Sequence, residues 1–355
     1  MTREVPTPRG TTDRRRERVT IRAVAARAGV SAMTVSNVIN RAGRASPATV
    51  AAVRAAVEEL GYVPNVVARR LARARATTVG VLYAGERTPF LDAILVGALR
   101  ATNARGLQLV LYHEEQLSLD AAEGAVLSLA RSGADALLLV PPFAELLCDS
   151  AVLAELALPV AAIATDQVAP GMSTVRIDNR AAMADLTALV VARGYRRIAL
   201  VAGRRDYSVS AARIAGFQDA LAAHGLPSEA GLIVEGGFDV ASGEAAARRL
   251  LARDVRPDAI MCSCDDMAAG VIAEAHRRGL RLPHDLAVTG FDDTMVAARM
   301  WPSLTTVYQP AEEMAFRATE QLIGAGDGDL VANDLIVAHT IVERESTASL
   351  RAVIT

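Results

Sequence analysis

Apolar residues follow two different periods along the chain. Up to about residue 60 they recur at helical spacing, as at Ile21, Val24, Ala25 and Ala28, whereas beyond residue 77 short apolar runs alternate with helical segments. The first region therefore predicts short helices. The second predicts parallel sheets with helices on both faces, because strand–helix alternation is typical of such sheets.

Two short helices separated by a tight turn are predicted first. Thr20 is placed to cap a helix at 21–28 with its hydroxyl group. Gly29 suits the left-handed turn that ends such a helix. Ser31 is placed to cap the next helix, which runs from 32 to about 39.

A third helix completes this region. Ser46 is its expected cap and Pro47 its first helical residue, since proline is favoured in the first turn. The apolar stripe of this helix is expected at Val50, Val53, Val57 and Leu60, and Gly61 is expected to close it. A helix, a glycine turn, a second helix and a supporting helix are typical of a helix-turn-helix.

The rest of the chain predicts two series of strands and helices. Strands are expected at 77–83, 107–113, 134–140, 159–165, 196–203, 258–264 and within 285–293. Helices are expected at 90–105, 119–131, 181–193, 210–224, 243–253 and 267–278. The expected fold class is an N-terminal all-α helix-turn-helix head and a C-terminal α/β body of two lobes with parallel sheets.

Charge is distributed unevenly, although the net charge of the whole chain is only −2. Residues 1–76 contain 15 arginines and five acidic residues, a net +10, whereas the remainder contains 23 arginines and 35 acidic residues, a net −12. A basic head on an acidic body indicates that the head meets a polyanion. Residues 1–18, rich in Pro, Thr and Arg, are expected to form a disordered basic tail.

The second predicted helix is uncharged although arginines surround it. Its short side chains would let its backbone approach base edges in the major groove, where Thr34 can offer a methyl group to thymine and Asn37 can pair with adenine. The flanking arginines would supply the contacts to phosphates. The alternative is a small helical bundle with a solvated basic face.

Two longer stretches are more specific than spacing alone. They are VTIRAVAARAGVSAMTVSNVIN at 19–40 and ASPATVAAVRAAVEELGYVPNVVARRL at 45–71. Both resemble the head and hinge of the LacI/GalR family of bacterial transcription repressors. Two departures stand out: Ala23 occupies a place where an acidic residue often completes a capping box, and Asn37 a place where Arg is frequent. The operator sequence therefore cannot be copied from a relative.

The resemblance implies a helix-turn-helix domain at 19–63, a hinge helix and linker at 64–76 and an effector-binding and dimerisation domain at 77–355. The hinge helix would fold only on DNA, with Leu71 wedged into the minor groove; the alternative for Leu71 is an ordinary core leucine. The DNA contacts that we predict are Thr20, Ser31, Ala32, Met33, Thr34, Ser36, Asn37, Asn40, Arg44, Ser46, Asn65, Ala68, Arg69 and Leu71.

The body carries the same resemblance in ARIAGFQDAL at 212–221 and LPHDLAVTGFDD at 282–293. It resembles the periplasmic-binding-protein-like body of the family, in which a small effector binds between the lobes at the carboxyl ends of strands. Arg213 and Asp292 match the family's effector-binding arginine and acid. A surface arginine and a helix cap are the respective alternatives.

Four further effector-binding candidates are less specific. Phe238 matches a ring that stacks on ligands, and Phe90 follows the first strand where the family places an aromatic residue; core packing is the alternative for both. Asp265 follows a strand where relatives usually show Asn-Asp, but Cys264 replaces the Asn and leaves the effector class open. Asp178 ends a strand, where acids often cap the next helix.

No cofactor or metal site is expected. Cys262 and Cys264 alternate on one strand without a nearby His, so they predict buried thiols and not a metal or redox pair. The N-terminal sequence lacks a secretory signal, and no apolar run has the roughly 18 residues that a membrane span needs. A cytoplasmic protein is therefore expected. Because no heptad pattern follows Arg344, we expect a homodimer.

These observations predict a ligand-responsive, sequence-specific transcriptional regulator, most simply a repressor that binds a near-palindromic operator in double-stranded DNA as a dimer. Its effector would be a sugar or a similar polar metabolite. The alternatives are a small-molecule binding protein with a vestigial head and an α/β enzyme with an appended DNA-binding head. No nucleophile–base pair in the sequence supports the enzyme.

Overall fold

The computed structural model describes residues 20–39, 45–60, 78–85, 87–169, 171–324 and 333–347. These residues belong to two compact units, a small N-terminal one and a larger C-terminal one. The expected basic tail at 1–18 and the whole of the expected hinge and linker at 64–76, with Leu71, lie outside the described residues, as does Gly61.

The N-terminal unit contains three helices: α1 (Ile21–Ala28), α2 (Ala32–Ile39) and α3 (Pro47–Leu60). The backbone N–H of Ala23 donates to Thr20 Oγ1 at 3.3 Å, and that of Thr34 donates to Ser31 Oγ at 3.0 Å. Gly29 ends α1 in the left-handed region, at φ 67°. These caps explain why sequence alone located the ends of both short helices.

A small apolar core joins the three helices. Val24 of α1, Val35 of α2 and Val53 of α3 are buried together, and Val57 and Leu60 pack against them. The expected stripe on α3 was wrong at one position: Val50 is only half-buried and lies outside this core. Ala56 is buried in its place, because it lies three residues after Val53 on the inward face of the helix.

The C-terminal unit contains two parallel sheets. The first has the strands β1 (Thr78–Tyr83), β2 (Gln108–His113), β3 (Ala136–Leu139), β4 (Val160–Ile163), β5 (Met172–Arg176) and β11 (Asp334–Ile336) in the order β11-β5-β4-β3-β1-β2. The second has β6 (Ile198–Ala202), β7 (Ile233–Glu235), β8 (Ala259–Cys262) and β9 (Ala287–Thr289) in the order β7-β6-β8-β9. A short antiparallel pair consists of β10 (Thr306–Tyr308) and β12 (Thr340–Val342).

Helices cover these sheets. Those connected with the first sheet are α4 (Pro89–Ala104), α5 (Leu119–Ser132), α6 (Phe143–Leu147), α7 (Ala151–Leu156) and α13 (Ala311–Gly324). Those connected with the second are α8 (Asn179–Ala192), α9 (Ser208–Ala223), α10 (Val240–Leu251), α11 (Asp265–Arg277) and α12 (Met295–Arg299). The sequence therefore predicted the fold class correctly, although most of the expected strands extend one or two residues beyond the observed ones.

The chain passes between the two lobes three times. It leaves the first lobe between β5 and α8, returns between β10 and α13, and leaves again between β11 and β12. One buried apolar cluster joins residues of both lobes, such as Val79 and Met261, and each lobe has a further cluster of its own. The crossings bring the carboxyl ends of β1, β6 and β8 to a common cleft, where open parallel sheets generally bind ligands.

Candidate functional site

Helix α2 presents a polar and apolar surface without charge. Met33 is 71% exposed and Asn37 is exposed, whereas Ala32, Thr34 and Ser36 are half-buried. Val35 points into the core of the head and fixes which face of the helix is outward. An exposed methionine on such a small domain is available for apolar contact with a partner.

The predicted DNA contacts at the helix starts are hydrogen-bonded as caps. Ser46 Oγ accepts from the Thr49 N–H at 3.2 Å, as Thr20 and Ser31 do in their own helices. The remaining N–H groups at a helix start favour anions such as phosphate, so capping is compatible with DNA contact. The other predicted contacts lie outside the described residues: Asn40, Arg44, Asn65, Ala68, Arg69 and Leu71.

A cavity of about 820 Å³ lies between the two lobes of the body. Its lining includes five of the six candidates from the sequence: Phe90, Arg213, Phe238, Asp265 and Asp292. The sixth, Asp178, is exposed, lies outside the lining and accepts a hydrogen bond from the Ala181 N–H at 2.9 Å. It caps α8, which was the alternative interpretation of this residue.

Arg213 is a buried cation in the cavity wall, only 4% exposed. Its Nε donates to Asn179 Oδ1 at 2.9 Å, its Nη1 donates to the Ser263 carbonyl oxygen, and its guanidinium lies over the Phe291 ring. Burial lowers the pKa of Arg213 from its usual value. Within the described part of the chain no hydrogen bond uses Nη2, so this donor remains available to a ligand.

Asp292 lies close to Arg213 at the end of the loop that follows β9. Its backbone has a φ of 108°, a conformation that L-residues other than glycine rarely adopt, and Gln309 Nε2 donates to its Oδ1 at 3.1 Å. Burial raises the pKa of Asp292 well above its usual value, and the charge of Arg213 opposes that shift. Strained backbone is common at ligand sites, where the surrounding structure holds it in place.

Asp265 is fully engaged with neighbouring protein groups. Its Oδ2 accepts from the Thr294 N–H at 2.7 Å and hydroxyl at 3.0 Å, and its Oδ1 accepts from the Thr306 hydroxyl at 2.7 Å. Burial raises the pKa of Asp265 to about 6. The carboxyl therefore ties the start of α11 to the loop that carries Asp292.

Phe238 packs against another aromatic residue and a glycine. Its ring centre is 5.4 Å from that of Tyr207, and a Cβ atom at Gly203 would lie 2.0 Å from the Phe238 ring. The backbone of Phe238 also has a positive φ, 65°. On the opposite lobe, Phe90 is half-buried in the first turn of α4. Aromatic faces from both lobes therefore border the same cavity.

Tyr207 and Asp266 are among the lining residues that sequence reasoning missed. Tyr207 precedes α9, and burial raises the pKa of its hydroxyl to about 12, so it remains a neutral hydrogen-bonding group at neutral pH. Asp266 is half-buried beside Asp265, and burial raises its pKa. The Asp-Asp sequence after β8 could have indicated Asp266 as well as Asp265, but no sequence signal identifies Tyr207.

Across the residues that the structure describes, no three potential metal-ligating side chains come together. No helix within the same ranges is both long and apolar enough to cross a bilayer. A helix-turn-helix head and a two-lobed α/β body with an interlobe cavity together define a DNA-binding regulator that responds to a small ligand.

Comparisons with known proteins agree with this class. A family model described as bacterial regulatory proteins, lacI family, matches residues 20–65, and one for a periplasmic binding protein-like domain matches 187–347. The HTH-type transcriptional regulator CelR of Thermobifida fusca is 34% identical over 94% of this chain and 99% of its own length.

Solved structures show the same similarity. A structure described as a CelR–cellobiose complex has a TM-score of 0.70 at 33% identity, covering 93% of this chain and 100% of that one. A lac repressor dimer bound to operator and the anti-inducer ONPF has a TM-score of 0.69 at 26% identity, covering 94% and 100%. The chain belongs to the lacI family of bacterial regulatory proteins and is a ligand-responsive transcriptional regulator.

Proposed function

We propose that the chain is a cytoplasmic homodimeric repressor that inserts α2 of each head into the major groove of a near-palindromic operator. The exposed Met33 and Asn37 and the absence of charge on α2 support a close approach to base edges. The lac repressor relative is a dimer on its operator. A two-fold dimer would place two heads on two half-sites.

The hinge completes this proposal. Residues 64–76 would fold on DNA between the head at 19–63 and the body, with Asn65, Ala68 and Arg69 near the backbone and Leu71 in the minor groove. The similarity of the chain to CelR of Thermobifida fusca over 94% of its length supports the assignment.

The effector that the cavity favours is a neutral, polyhydroxylated, sugar-like molecule. Asp292 can accept hydrogen bonds from hydroxyl groups and Arg213 can donate to their oxygens, while Phe238 offers a ring face. An anionic ligand would meet four acidic side chains and two arginines, of which Arg87 is already paired with Asp92 at 2.8 Å. The CelR relative with cellobiose supports the same ligand class.

Binding, without turnover, would change the regulator. A ligand that touches Phe90 on one lobe and Arg213 and Asp292 on the other favours one angle between the lobes. It acts only through its difference in affinity for the two angles. The names of the relatives, which are those of transcriptional regulators, support binding as the function and not catalysis.

Gel shifts against a pool of promoter fragments test the DNA half of this proposal. The wild type should shift a small subset of fragments, and the shift should weaken steeply with salt because phosphates are neutralised by arginines. Asn37→Ala should reduce discrimination by about 1–3 kcal/mol per contacted base pair, whereas Arg54→Ala on α3 should not. A head that binds every fragment equally, or none, contradicts it.

A thermal-shift screen tests the ligand half. Neutral mono- and disaccharides, including cellobiose, should contain the stabilising compounds, and sugar phosphates of the same ring should not. Arg213→Ala should abolish the stabilisation. If sugar phosphates stabilise the protein and neutral sugars do not, the proposed effector class is wrong.

A further inference from the structure

A carboxylate of one lobe is hydrogen-bonded to the first turn of a helix in the other lobe. Glu145 lies on α6, beside the first sheet, and Ser208 is the first residue of α9, beside the second sheet. Glu145 Oε1 accepts from the Ser208 hydroxyl at 2.6 Å and from the Ser208 N–H at 3.3 Å. It also accepts from the Thr165 hydroxyl at 2.8 Å.

Helix α9 has no cap of its own. Tyr207 occupies the N-cap position and makes no capping hydrogen bond with its side chain. The free N–H groups of a helix start carry a partial positive charge, so a carboxylate there is favoured over a neutral acceptor. Glu145 thus supplies from the opposite lobe the cap that the sequence of α9 lacks.

The two hydroxyl groups around Glu145 each make further hydrogen bonds with groups of the first lobe. Ser208 Oγ donates to Glu145 and accepts from the Asp166 N–H at 2.9 Å, while Thr165 Oγ1 donates to Glu145 and accepts from the Gln167 N–H at 3.0 Å. Ser208 Oγ and Thr165 Oγ1 also lie 3.1 Å apart, so the two hydroxyl groups and Glu145 form one connected cluster across the lobes. A displacement of α9 would break two bonds to Glu145 and one to Asp166 together.

This cluster adjoins the cavity but is not part of its lining. Ala164, Tyr207 and Val209, the chain neighbours of Thr165 and Ser208, line the cavity, and Arg213 lies little more than one turn further along α9. The placement of α9 therefore sets the placement of Tyr207 and Arg213. A residue that fixes the start of α9 acts on the ligand site without touching the ligand.

We propose that Glu145 is a positioning residue that latches the second lobe to the first by capping α9 across the cleft. With the latch intact, the lobes remain in the arrangement that brings Tyr207 and Arg213 towards the first lobe. Without it, open arrangements gain population, and a ligand must supply the closure itself. The latch is a property of the unliganded chain and does not depend on the proposed effector class.

Amide hydrogen exchange of the full-length, unliganded protein followed by mass spectrometry tests the latch. Glu145→Ala should speed exchange about tenfold at the first turn of α9, which is the loss expected for a hydrogen bond to a charged group. It should also speed exchange in cavity-lining segments of both lobes that do not contact Glu145, namely 84–85 and 87–91 in the first lobe and 237–241 in the second. Glu145→Gln should be intermediate, because it keeps the acceptor and loses the charge.

The chain offers a matched control. Glu345 Oε2 accepts from the Ser303 N–H at 3.0 Å and hydroxyl at 2.8 Å, the same pattern as at Glu145, but both residues lie in the second lobe. Glu345→Ala should change exchange only around Ser303. Ser208→Ala removes the partner of Glu145 in the second lobe. It should likewise speed amide exchange in the cavity-lining segments of both lobes.

The result that overturns the latch is equally specific. If Glu145→Ala and Ser208→Ala speed exchange only at 208–211, the carboxylate is a local cap and the lobes are held by other contacts. Unchanged exchange in all segments overturns it as well. Neither outcome bears on whether the cavity binds sugars, which the thermal-shift screen measures separately.

Discussion

The guanidinium carbon of Arg213 lies 3.7 Å from the centre of the Phe291 ring, so the cation in the cavity wall is held by stacking as well as by hydrogen bonds. Asp292, the next residue after Phe291, faces the same charge, which opposes the burial-driven rise in its pKa. The two partners of Arg213, the Phe291 ring and the Asp292 carboxyl group, are therefore consecutive residues in the chain. Planarity matters here, because a guanidinium stacks on a ring and an ammonium does not.

We predict that Arg213→Lys is not conservative. The substitution loses the Nε bond to Asn179, the Nη1 bond to Ser263 and the stack on Phe291, and unsatisfied buried acceptors cost about 1–3 kcal/mol each. The free energy of unfolding from urea titration should fall by at least about 1 kcal/mol. Arg180→Lys, at an exposed arginine paired with Asp219, should leave it unchanged within the error of the titration. Equal losses would show that the buried geometry contributes nothing.

A second prediction concerns pH. Burial raises the pKa of Asp265 to about 6, above the ordinary value of 3.8 that holds in the unfolded chain. Between these values the folded state binds more protons, so the contribution of Asp265 to the free energy of unfolding falls as pH rises from about 4 to about 6, by roughly 3 kcal/mol. Below pH 4 and well above pH 6 the contribution of Asp265 to the free energy of unfolding should not change with pH.

Comparison with Asp265→Asn isolates that slope. The wild type should lose stability relative to this variant as pH rises from about 4 to about 6, whatever the stability difference between them at any single pH. Asp285 supplies the opposite sign, since Arg281 holds the pKa of Asp285 well below its usual value. Its contribution is present above the unfolded value and is lost on acidification, so Asp285→Asn should lower stability above about pH 4 and remove the pH dependence only on the acidic side. Parallel wild-type and Asp265→Asn curves would contradict the assignment.

Sequence located the head helices well because their signals are local. The caps Thr20 and Ser31 and the turn at Gly29 each act within a few residues. The sheet order could not be predicted in the same way. β11 joins the first sheet beside β5, and Asp334 there pairs with Arg176, 158 positions earlier in the chain. No local pattern specifies such a partner.

The same distinction holds in the cavity. The positions of Arg213 and Asp292 followed from motif resemblance, which carries information about distant contacts. The bonds of Asp265 depend on Thr294 and Thr306, which are 29 and 41 residues away, so sequence suggested a ligand contact where the structure has a carboxyl tied to the protein. Its role in effector binding stays a prediction.

The caps of the head support a third prediction. Ser31→Ala removes the acceptor for the Thr34 N–H and frees the Thr34 hydroxyl, which now lies 2.8 Å from Ser31 Oγ. The head should lose about 1 kcal/mol of stability, and Ser31→Gly only a few tenths. Ser46→Ala removes the equivalent cap of α3 and should cost a similar amount.

DNA affinity should separate these two variants. If α2 reads base edges, Ser31→Ala should weaken operator binding more than Ser46→Ala at matched head stability, because it alters the start of the helix that enters the groove. Gel shifts at a temperature where both heads are folded provide the measurement. Equal affinities would argue against α2 as the reading helix.

The last prediction uses two glycines inside helices of the first lobe. A Cβ atom at Gly97 of α4 would lie 2.1 Å from the backbone oxygen of Glu312 on α13, whereas one at Gly124 of α5 would have no atom within 4 Å. Gly97→Ala should therefore push the two helices apart and cost about 1–3 kcal/mol, more than alanine's gain in helix propensity. Gly124→Ala should keep that gain and stabilise the protein by about 0.5–1 kcal/mol. Thermal and urea unfolding would measure both, and a stabilising Gly97→Ala would mean that α4 and α13 do not pack at this distance.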